Sequence, residues 1–169
     1  SRDWRIVSTA VEEMRSPPDA ILSFSHHFCA IAARVGAELG VTGFDPGVLE
    51  LTADKRQVRE ALRGCPATIP YWPIAADEDP ALAAAQVSFP AVAKPVAETS
   101  SSDVSLVTDV GALTKAVAQV RAVRRNRKGF LRSGEILVEQ YVEGPEFSVE
   151  TMTIDGTTTV YGVTVKTPL

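Results

Sequence analysis

The chain has 169 residues, of which 45% are hydrophobic and 22% are charged, and this ordinary globular composition excludes disorder of the whole chain. A net charge of -4 excludes a bulk attraction to nucleic acid or to an anionic membrane. No apolar run approaches the roughly 20 residues of a membrane span, and the opening SRDWR lacks a signal-peptide core. Cys29 and Cys65 form neither a disulfide framework nor a metal-ligand spacing. We therefore expect a cytoplasmic protein with neither nucleic acid nor a membrane as partner.

The N-terminal part of the sequence predicts helices around one strand. Helical spacing predicts a helix over residues 4–14, which Pro17 interrupts. The apolar run 19–24 predicts a short strand, and the segment after it predicts a helix that Ser25 caps and Gly40 ends. This succession is typical of a strand-to-helix unit.

The rest of the sequence predicts one more helix near residue 55 and then mainly strands. The stretch LTADKRQVREALRG predicts a helix that begins at a Thr52 or Asp54 cap and ends at Gly64. The later elements are predicted, in chain order, as an extended segment 67–75, a short helix near 80–86, strands 91–96 and 104–107, a helix 110–123, and strands 135–141, 146–153 and 157–166. Asp155-Gly156 predicts a tight hairpin turn between the last two strands. The predicted fold class is mixed α/β (α+β).

A lone lysine, Lys94, ends a strand just before a loop of small hydroxyl residues, in FPAVAKPVAETSSSDVSLV. Backbone N–H groups of such a loop can approach an anion, and the lysine supplies a point charge for phosphate oxygens. An exposed strand end has the same pattern. A second stretch, EILVEQYVEGPEFSVETM, adds a strand ending in Glu139, an extended segment 140–142 and Glu146 after a glycine turn.

Three motifs, ADKRQVREAL, FPAVAKPV and ILVEQYVEGPEFSVE, resemble the ATP-grasp superfamily in their order and separations. Among its subgroups the chain looks closest to the carboxylate-amine ligases that include L-amino-acid (dipeptide) ligases. The resemblance implies a fragment of the ATP-grasp fold. Its parts would be the end of a Rossmann-like N-terminal domain over 1–50, a linker helix over 51–67, the lid subdomain over 68–142 and the first strands of a truncated C-terminal ATP-binding subdomain over 143–169.

The resemblance also implies ATP and Mg²⁺ as cofactors and assigns nucleotide contacts. These contacts fall on Lys55, Lys94, Ser101, Ser102, Glu139, Gln140, Val142 and Glu146. The two lysines would contact the phosphates from two sides, the serines would donate to them, Glu139 and the backbone of residues 140 and 142 would bind adenine, and Glu146 would hold the ribose. A substrate carboxylate would attack the γ-phosphate, and an amine would open the acylphosphate. The expected partners are these small molecules, and a homodimer stays open.

Each assignment has a simpler alternative. Lys55 also fits a surface lysine in the first turn of a helix, and Glu139 and Glu146 also fit cross-strand charge partners. Glu150 shares a strand face with Glu146 and fits either a nucleotide ligand or a supporting group.

Other polar residues fit surface roles better than ligand roles. A capping or surface role is favoured for His26 and His27, and an exposed strand end is favoured for Lys166. The basic stretch VRRNRKGF, which begins at Val123, fits a solvated loop better than a phosphate-steering one.

Two features depart from the family pattern. The family's lid loop is usually rich in glycine, but residues 96–104 contain none, and Glu98 and Asp103 would repel phosphate unless they point outward or share a metal. The metal ligands and catalytic arginine that the resemblance implies would follow residue 169, so catalytic residues stay unknown and no metal ligand is assigned. We expect this chain alone to bind nucleotide weakly and to lack ligase turnover. Two rival interpretations remain, a non-catalytic nucleotide-binding or regulatory homologue and a purely structural domain.

Overall fold

A computed structural model describes residues 4–16, 18–41 and 43–166, so the predicted helix breaker Pro17 lies outside the described residues. The helices are α1 (Trp4–Glu12), α2 (His26–Glu38), α3 (Pro46–Thr52), α4 (Lys55–Ala61), α5 (Pro80–Ala83), which a 3₁₀ turn at Ala84–Gln86 extends, and α6 (Val110–Ala122). The strands are β1 (Tyr71–Ile74), β2 (Ala91–Pro95), β3 (Ser105–Val107), β4 (Ile136–Gln140), β5 (Glu146–Ile154) and β6 (Thr157–Lys166). The mixed fold class predicted from the sequence is confirmed.

Four strands form one antiparallel sheet in the order β1-β4-β2-β3. One face of this sheet packs on α5 and α6 and forms the core. The largest fully buried side chains of this core are Ile74, Val107, Leu113, Val117, Ile136 and Val138. Successive side chains of a strand point to opposite faces. Lys94 and Glu139 alternate with the core residues of β2 and β4, so they lie on the face of the sheet away from α6.

The last two strands form a separate hairpin. Asp155 (φ 49°) and Gly156 (φ 77°) occupy the turn, as the sequence predicts, and both adopt the left-handed backbone that such a turn requires. The register pairs Phe147 with Val165 and Val149 with Val163, so apolar side chains share one face. All four side chains are exposed.

The N-terminal residues form helices only, and the strand predicted over residues 19–24 is wrong. In this segment Ala20 forms only an isolated bridge, and a single bridge is not the continuous ladder that defines a strand. The sequence interpretation also missed α3, although Asp45 accepts from the N–H groups of Gly47 and Val48 and Pro46 opens the helix.

Asp54 is the N-cap of α4, because its carboxylate accepts from the N–H groups of Arg56 (2.8 Å) and Gln57 (3.2 Å). The alternative cap, Thr52, is the last residue of α3. Ser25 stands at the N-cap of α2 but makes no capping bond with its side chain. Within the three described ranges, no helix is long and apolar enough to cross a membrane.

Candidate functional site

A cleft of about 490 Å³ lies on the face of the sheet opposite α6. All eight residues predicted as nucleotide contacts line it: Lys55, Lys94, Ser101, Ser102, Glu139, Gln140, Val142 and Glu146. They come from the start of α4, the end of β2, the loop after β2, the end of β4 and the start of β5. The structure thus brings together residues that are up to 91 positions apart in the sequence.

Glu139 is the buried carboxylate of the cleft, with 5% of its surface exposed. Its Oε2 accepts from Lys94 Nζ at 2.5 Å, and its Oε1 accepts from Arg59 Nε at 2.7 Å. Burial by itself raises the pKa of Glu139, but the hydrogen bonds and charges of Arg59 and Lys94 outweigh burial and hold the pKa below its usual value. Glu139 is therefore an ionised acceptor, and both cations are oriented by it.

Lys55 is half-buried at the first turn of α4 and is tied twice to the segment after β2. Its backbone N–H donates to Val96 O at 2.9 Å, and its ammonium group donates to Glu98 O. Burial lowers the pKa of Lys55, and the nearby charge of Lys94 lowers it further. Two ammonium groups therefore share one cleft, and their mutual repulsion favours a bound anion.

The segment after Glu139 lines the cleft, and two prolines lie beside its backbone. Gln140 donates its N–H to Pro70 O at 2.9 Å, and Tyr141 donates its N–H to Pro90 O at 3.3 Å. In an antiparallel ladder the two residues of a hydrogen-bonded pair normally exchange two hydrogen bonds. Proline has no N–H, so it accepts one bond and cannot donate the other. The carbonyls of Gln140 and Tyr141 therefore receive no bond from these prolines. The N–H of Gln140 is already engaged, so its carbonyl is the backbone group that can reach a ligand.

The loop after β2 adopts left-handed backbone without glycine. The φ angles are 56° at Ser100, 53° at Ser101 and 55° at Asp103. Ser102 and Val104 donate their N–H groups inside the loop, whereas the N–H groups of Ser100 and Ser101 have no acceptor among the described residues. Successive N–H groups in such a conformation form a concavity that can hold an anion.

Both acidic side chains of this loop are paired with Arg132. Its Nη1 donates to Asp103 Oδ2 at 2.7 Å, and its Nε lies 3.5 Å from Glu98 Oε1. The amide of Asn126 also donates to Glu98 at 3.4 Å. The negative charge of the two loop carboxylates is therefore compensated by the guanidinium group of Arg132.

Glu146 lines the outer edge of the cleft and is exposed. It pairs across the hairpin with Lys166, whose Nζ donates to Glu146 Oε1 at 2.5 Å. Glu146 is therefore the cross-strand charge partner that the simpler interpretation expects, and it also lines the cleft, while its role toward ribose stays a prediction. Lys166 reaches the edge of the cleft through this pair, whereas Glu150 is exposed and does not line the cleft.

Sequence reasoning missed two cations, Arg59 and Arg132. Arg59 lies one helical turn after Lys55, and this spacing is the signal that could have placed it beside Lys55 on one helix face. Arg132 has no such local signal. His27 is buried and packs against Phe130 with ring centroids 5.4 Å apart, so the capping or surface role favoured for it is wrong, whereas His26 is exposed as expected. The described residues contain no cluster of three or more acidic, histidine or cysteine side chains suited to a metal ion.

Comparisons with known proteins bear on the fold of the chain. Residues 87–169 match the family model described as an ATP-grasp domain. The chain is similar to the L-amino acid ligase from Bacillus licheniformis, with a TM-score of 0.81 and 26% identity, over 98% of this chain and 40% of that one. It also resembles the ADP complex of N5-carboxyaminoimidazole ribonucleotide synthetase, with a TM-score of 0.73 and 16% identity, over 99% of this chain and 42% of that one.

Among curated proteins, the chain is 26% identical over 133 residues to an uncharacterized protein, y4rH, of Sinorhizobium fredii. The matched part is 78% of this chain and 27% of that protein. The family match covers residues 87–169, and the structural likeness over nearly the whole chain shows that the chain has part of the ATP-grasp fold. The resemblance inferred from three sequence motifs is confirmed. The chain spans less than half of the length of each of these relatives.

Proposed function

We propose that this chain is the ATP-binding part of an ATP-dependent carboxylate-amine ligase. The observation that carries the proposal is that Lys55, Lys94 and the loop after β2 (residues 96–104, the serine loop) line one cleft beside Glu139. The N–H groups of Ser100 and Ser101 in this loop are unbonded within the described part of the chain. The fold shared with an L-amino acid ligase at 26% identity supports the same reaction class. The proposed reaction forms an amide or peptide bond and releases ADP and phosphate.

In this proposal the triphosphate lies between the two lysines. Lys55 and Lys94 neutralise its charge from two sides, and Ser101 and Ser102 donate hydrogen bonds to it. ATP arrives with Mg²⁺, which binds phosphate oxygens and takes few protein ligands. We assign no described residue to the metal, because no acidic cluster is available among them.

The nucleoside lies along the end of β4. Glu139 accepts a hydrogen bond from the adenine amino group. It can do so because each of its carboxylate oxygens has a second lone pair besides the one that faces a cation. The carbonyl of Gln140 accepts from the same amino group, and the N–H of Val142 donates to a ring nitrogen. Glu146 holds the ribose hydroxyl groups.

The chemistry needs ATP because a carboxylate is a poor acyl donor. A carboxylate oxygen of the substrate attacks the γ-phosphorus, the bond to the β,γ-bridging oxygen breaks, and ADP leaves. An amine then attacks the acyl carbon and displaces phosphate. The lysines stabilise the charge that gathers on the phosphoryl group. We assign none of the described residues to the acyl-transfer step, and the substrates are proposed only as a small carboxylate and a small amine.

We also propose a division of the chain at the predicted boundaries. Residues 1–50 end an N-terminal domain, 51–67 form a linker that carries α4, 68–142 form the lid subdomain and 143–169 begin the next subdomain. The linker is not the single helix predicted, because the boundary after residue 50 falls within α3. The four-stranded sheet falls inside the range 68–142, and the β5–β6 hairpin falls after it, which supports the third boundary.

The binding experiment is a thermal shift with Mg-ATP on the wild type, Lys94→Ala and Lys115→Ala. Lys115 is an exposed lysine of α6 that does not line the cleft, so it is the matched control. At a 100-fold excess over Kd we expect a rise in Tm on the order of 5 °C for the wild type and the control. Lys94→Ala should lose most of that rise. Equal melting of all three proteins with and without nucleotide would refute the binding site.

A second candidate function is a nucleotide-binding homologue without catalysis, which the glycine-free loop favours. The two candidates differ in ADP release by the full-length protein. A ligase releases ADP when its carboxylate substrate is supplied, and it turns over repeatedly when an amine is supplied as well. A non-catalytic homologue binds Mg-ATP, gives the same thermal shift and releases no ADP with any amino acid pair.

A further inference from the structure

The serine loop holds a conformation that its sequence does not favour. Ser100, Ser101 and Asp103 all have a Cβ atom and all lie in the left-handed region, which costs free energy at residues other than glycine. The loop also carries two carboxylates, and their negative charge opposes the attraction of the two cleft lysines for an anion. An interaction from outside the loop can offset both costs.

Arg132 supplies that interaction. Its side chain is 5% exposed, and it is the only described side chain that contacts both acidic residues of the loop, Glu98 and Asp103. The contact to Asp103 is a hydrogen-bonded ion pair of 2.7 Å, and Asp103 is itself one of the left-handed residues. A charged hydrogen bond therefore acts directly on one of the three residues that hold the left-handed backbone.

Arg132 is held independently of the loop. Its N–H donates to Arg124 O at 3.1 Å, and an isolated bridge between Arg125 and Leu131 closes the small hairpin that carries it. Phe130 anchors the same hairpin by packing on Phe28, with ring centroids 6.0 Å apart. The basic side chains of the stretch VRRNRKGF are exposed, as the predicted solvated loop requires, while the hairpin that this stretch begins holds Arg132 against the serine loop.

We propose that Arg132 is a positioning residue that stabilises the loop conformation which glycine residues would otherwise allow. It fixes the left-handed turn of the serine loop and neutralises Glu98 and Asp103, so that the N–H groups of Ser100 and Ser101 face the phosphates of ATP. This proposal rests on the proposed function. It adds that phosphate affinity in this chain depends on a side chain that does not itself touch the nucleotide.

The test compares ATP with adenosine, because only ATP reaches the serine loop. Binding of each to the full-length protein and to Arg132→Ala is measured by calorimetry. We expect Arg132→Ala to weaken Mg-ATP binding about 10-fold, in line with the loss of one charged hydrogen bond, and to leave adenosine binding unchanged. An equal loss for both ligands, or no loss for ATP, would overturn the proposal.

Two further variants keep the test decisive. Arg121→Ala removes another arginine of the same subdomain, which donates to the carbonyls of Ala75 and Glu78, and it should leave the ratio of ATP to adenosine affinity unchanged. Arg132→Lys retains a charge without the planar fork and serves if Arg132→Ala fails to fold. We expect it to weaken ATP binding severalfold, and an unchanged ratio in this variant also overturns the proposal.

A rescue variant separates positioning from general stability. Asp103→Gly combined with Arg132→Ala should bind ATP more tightly than Arg132→Ala alone, because glycine adopts positive φ freely and removes an unpaired carboxylate. Absence of rescue would count against positioning. If the wild type binds neither ATP nor adenosine, the proposed function fails, whereas intact wild-type binding with an insensitive Arg132 refutes only the present proposal.

Discussion

Glu139 is the residue on which the cations of the cleft converge. It is a buried carboxylate with one ion pair on each oxygen. Removing one member of a buried pair costs more than the pair contributes, because the remaining charges stay desolvated. Glu139→Gln should therefore lower the free energy of unfolding by about 2–4 kcal/mol. Urea denaturation measures this, and Glu50→Gln, which breaks an exposed pair with Arg34, should barely change the midpoint.

The pH dependence follows from the sign of the Glu139 shift. The folded pKa is below that of the unfolded chain, so the stabilisation is complete above the unfolded value and is lost as the pH falls through the folded value. We expect the stability difference between wild type and Glu139→Gln to be constant near neutral pH. It should shrink below about pH 4.3, the ordinary pKa of glutamate. A difference that grows in acid would contradict this.

The sequence predicted the polar residues of the cleft but not how they are paired. Lys94 and Glu139 were identifiable because each interrupts an apolar, β-branched run. The pair between them depends on the register of β2 against β4, which no local pattern encodes. The contact between Arg132 and Asp103 joins residues 29 positions apart and depends on the packing of two loops. Such contacts appear only when the tertiary structure is known.

Helix α4 depends on its cap for the position of the lysine at its start. Asp54 accepts from two N–H groups of the first turn, and Asp45 does the same for α3, which carries no residue of the cleft. Each change to alanine should cost about 0.5–2 kcal/mol. Only Asp54→Ala should also weaken Mg-ATP binding, as measured by calorimetry, because it loosens the turn that holds Lys55. Equal nucleotide affinity in the two variants would show that the cap does not matter to the cleft.

The prolines beside β4 give a second prediction at this scale. Pro70→Ala supplies an N–H that can bond the carbonyl of Gln140 and remove it from the nucleotide. We expect the affinity for adenosine to fall about 2–10-fold, the worth of one hydrogen bond. The control is Pro73→Ala on the same edge strand, where the alternation of the ladder points the new N–H away from β4. A loss of affinity in the control but not in Pro70→Ala would refute the idea.

The elements were predictable where local signals were strong. The bounds of β6 agree with the predicted strand 157–166, because Asp155-Gly156 fixes the turn and the register as far as Thr151, beyond which a bulge shifts the register by one residue. The strand expected over residues 19–24 failed because an apolar run predicts burial, and only a neighbouring strand makes it a ladder. Helix α3 was missed because it is short and lacks an apolar stripe.

At the scale of the whole molecule, the β5–β6 hairpin exposes an apolar face. Phe147, Val149, Val163 and Val165 lie on it, and each is more than half exposed. Contiguous apolar surface of this kind binds hydrophobic dyes and promotes association. We expect the 169-residue chain to enhance ANS fluorescence and Val163→Lys to reduce the signal. Thr164→Lys, on the opposite face, is the matched control, and equal signals from both variants would contradict the assignment of the face.

The double attachment of Lys55 has a mechanical consequence. Its main-chain nitrogen and its side-chain nitrogen hold residues 96 and 98, respectively, so α4 and the end of β2 are fastened at two points. Two hydrogen bonds resist a rotation of α4 relative to β2 that a single hydrogen bond would allow. If the sheet rotates toward a bound ligand, we expect α4 to move with it as one rigid body. The backbone torsion angles that change should then lie before Asp54. A pair of structures with and without nucleotide would show this as one shared rotation of residues 55–61 and 91–98.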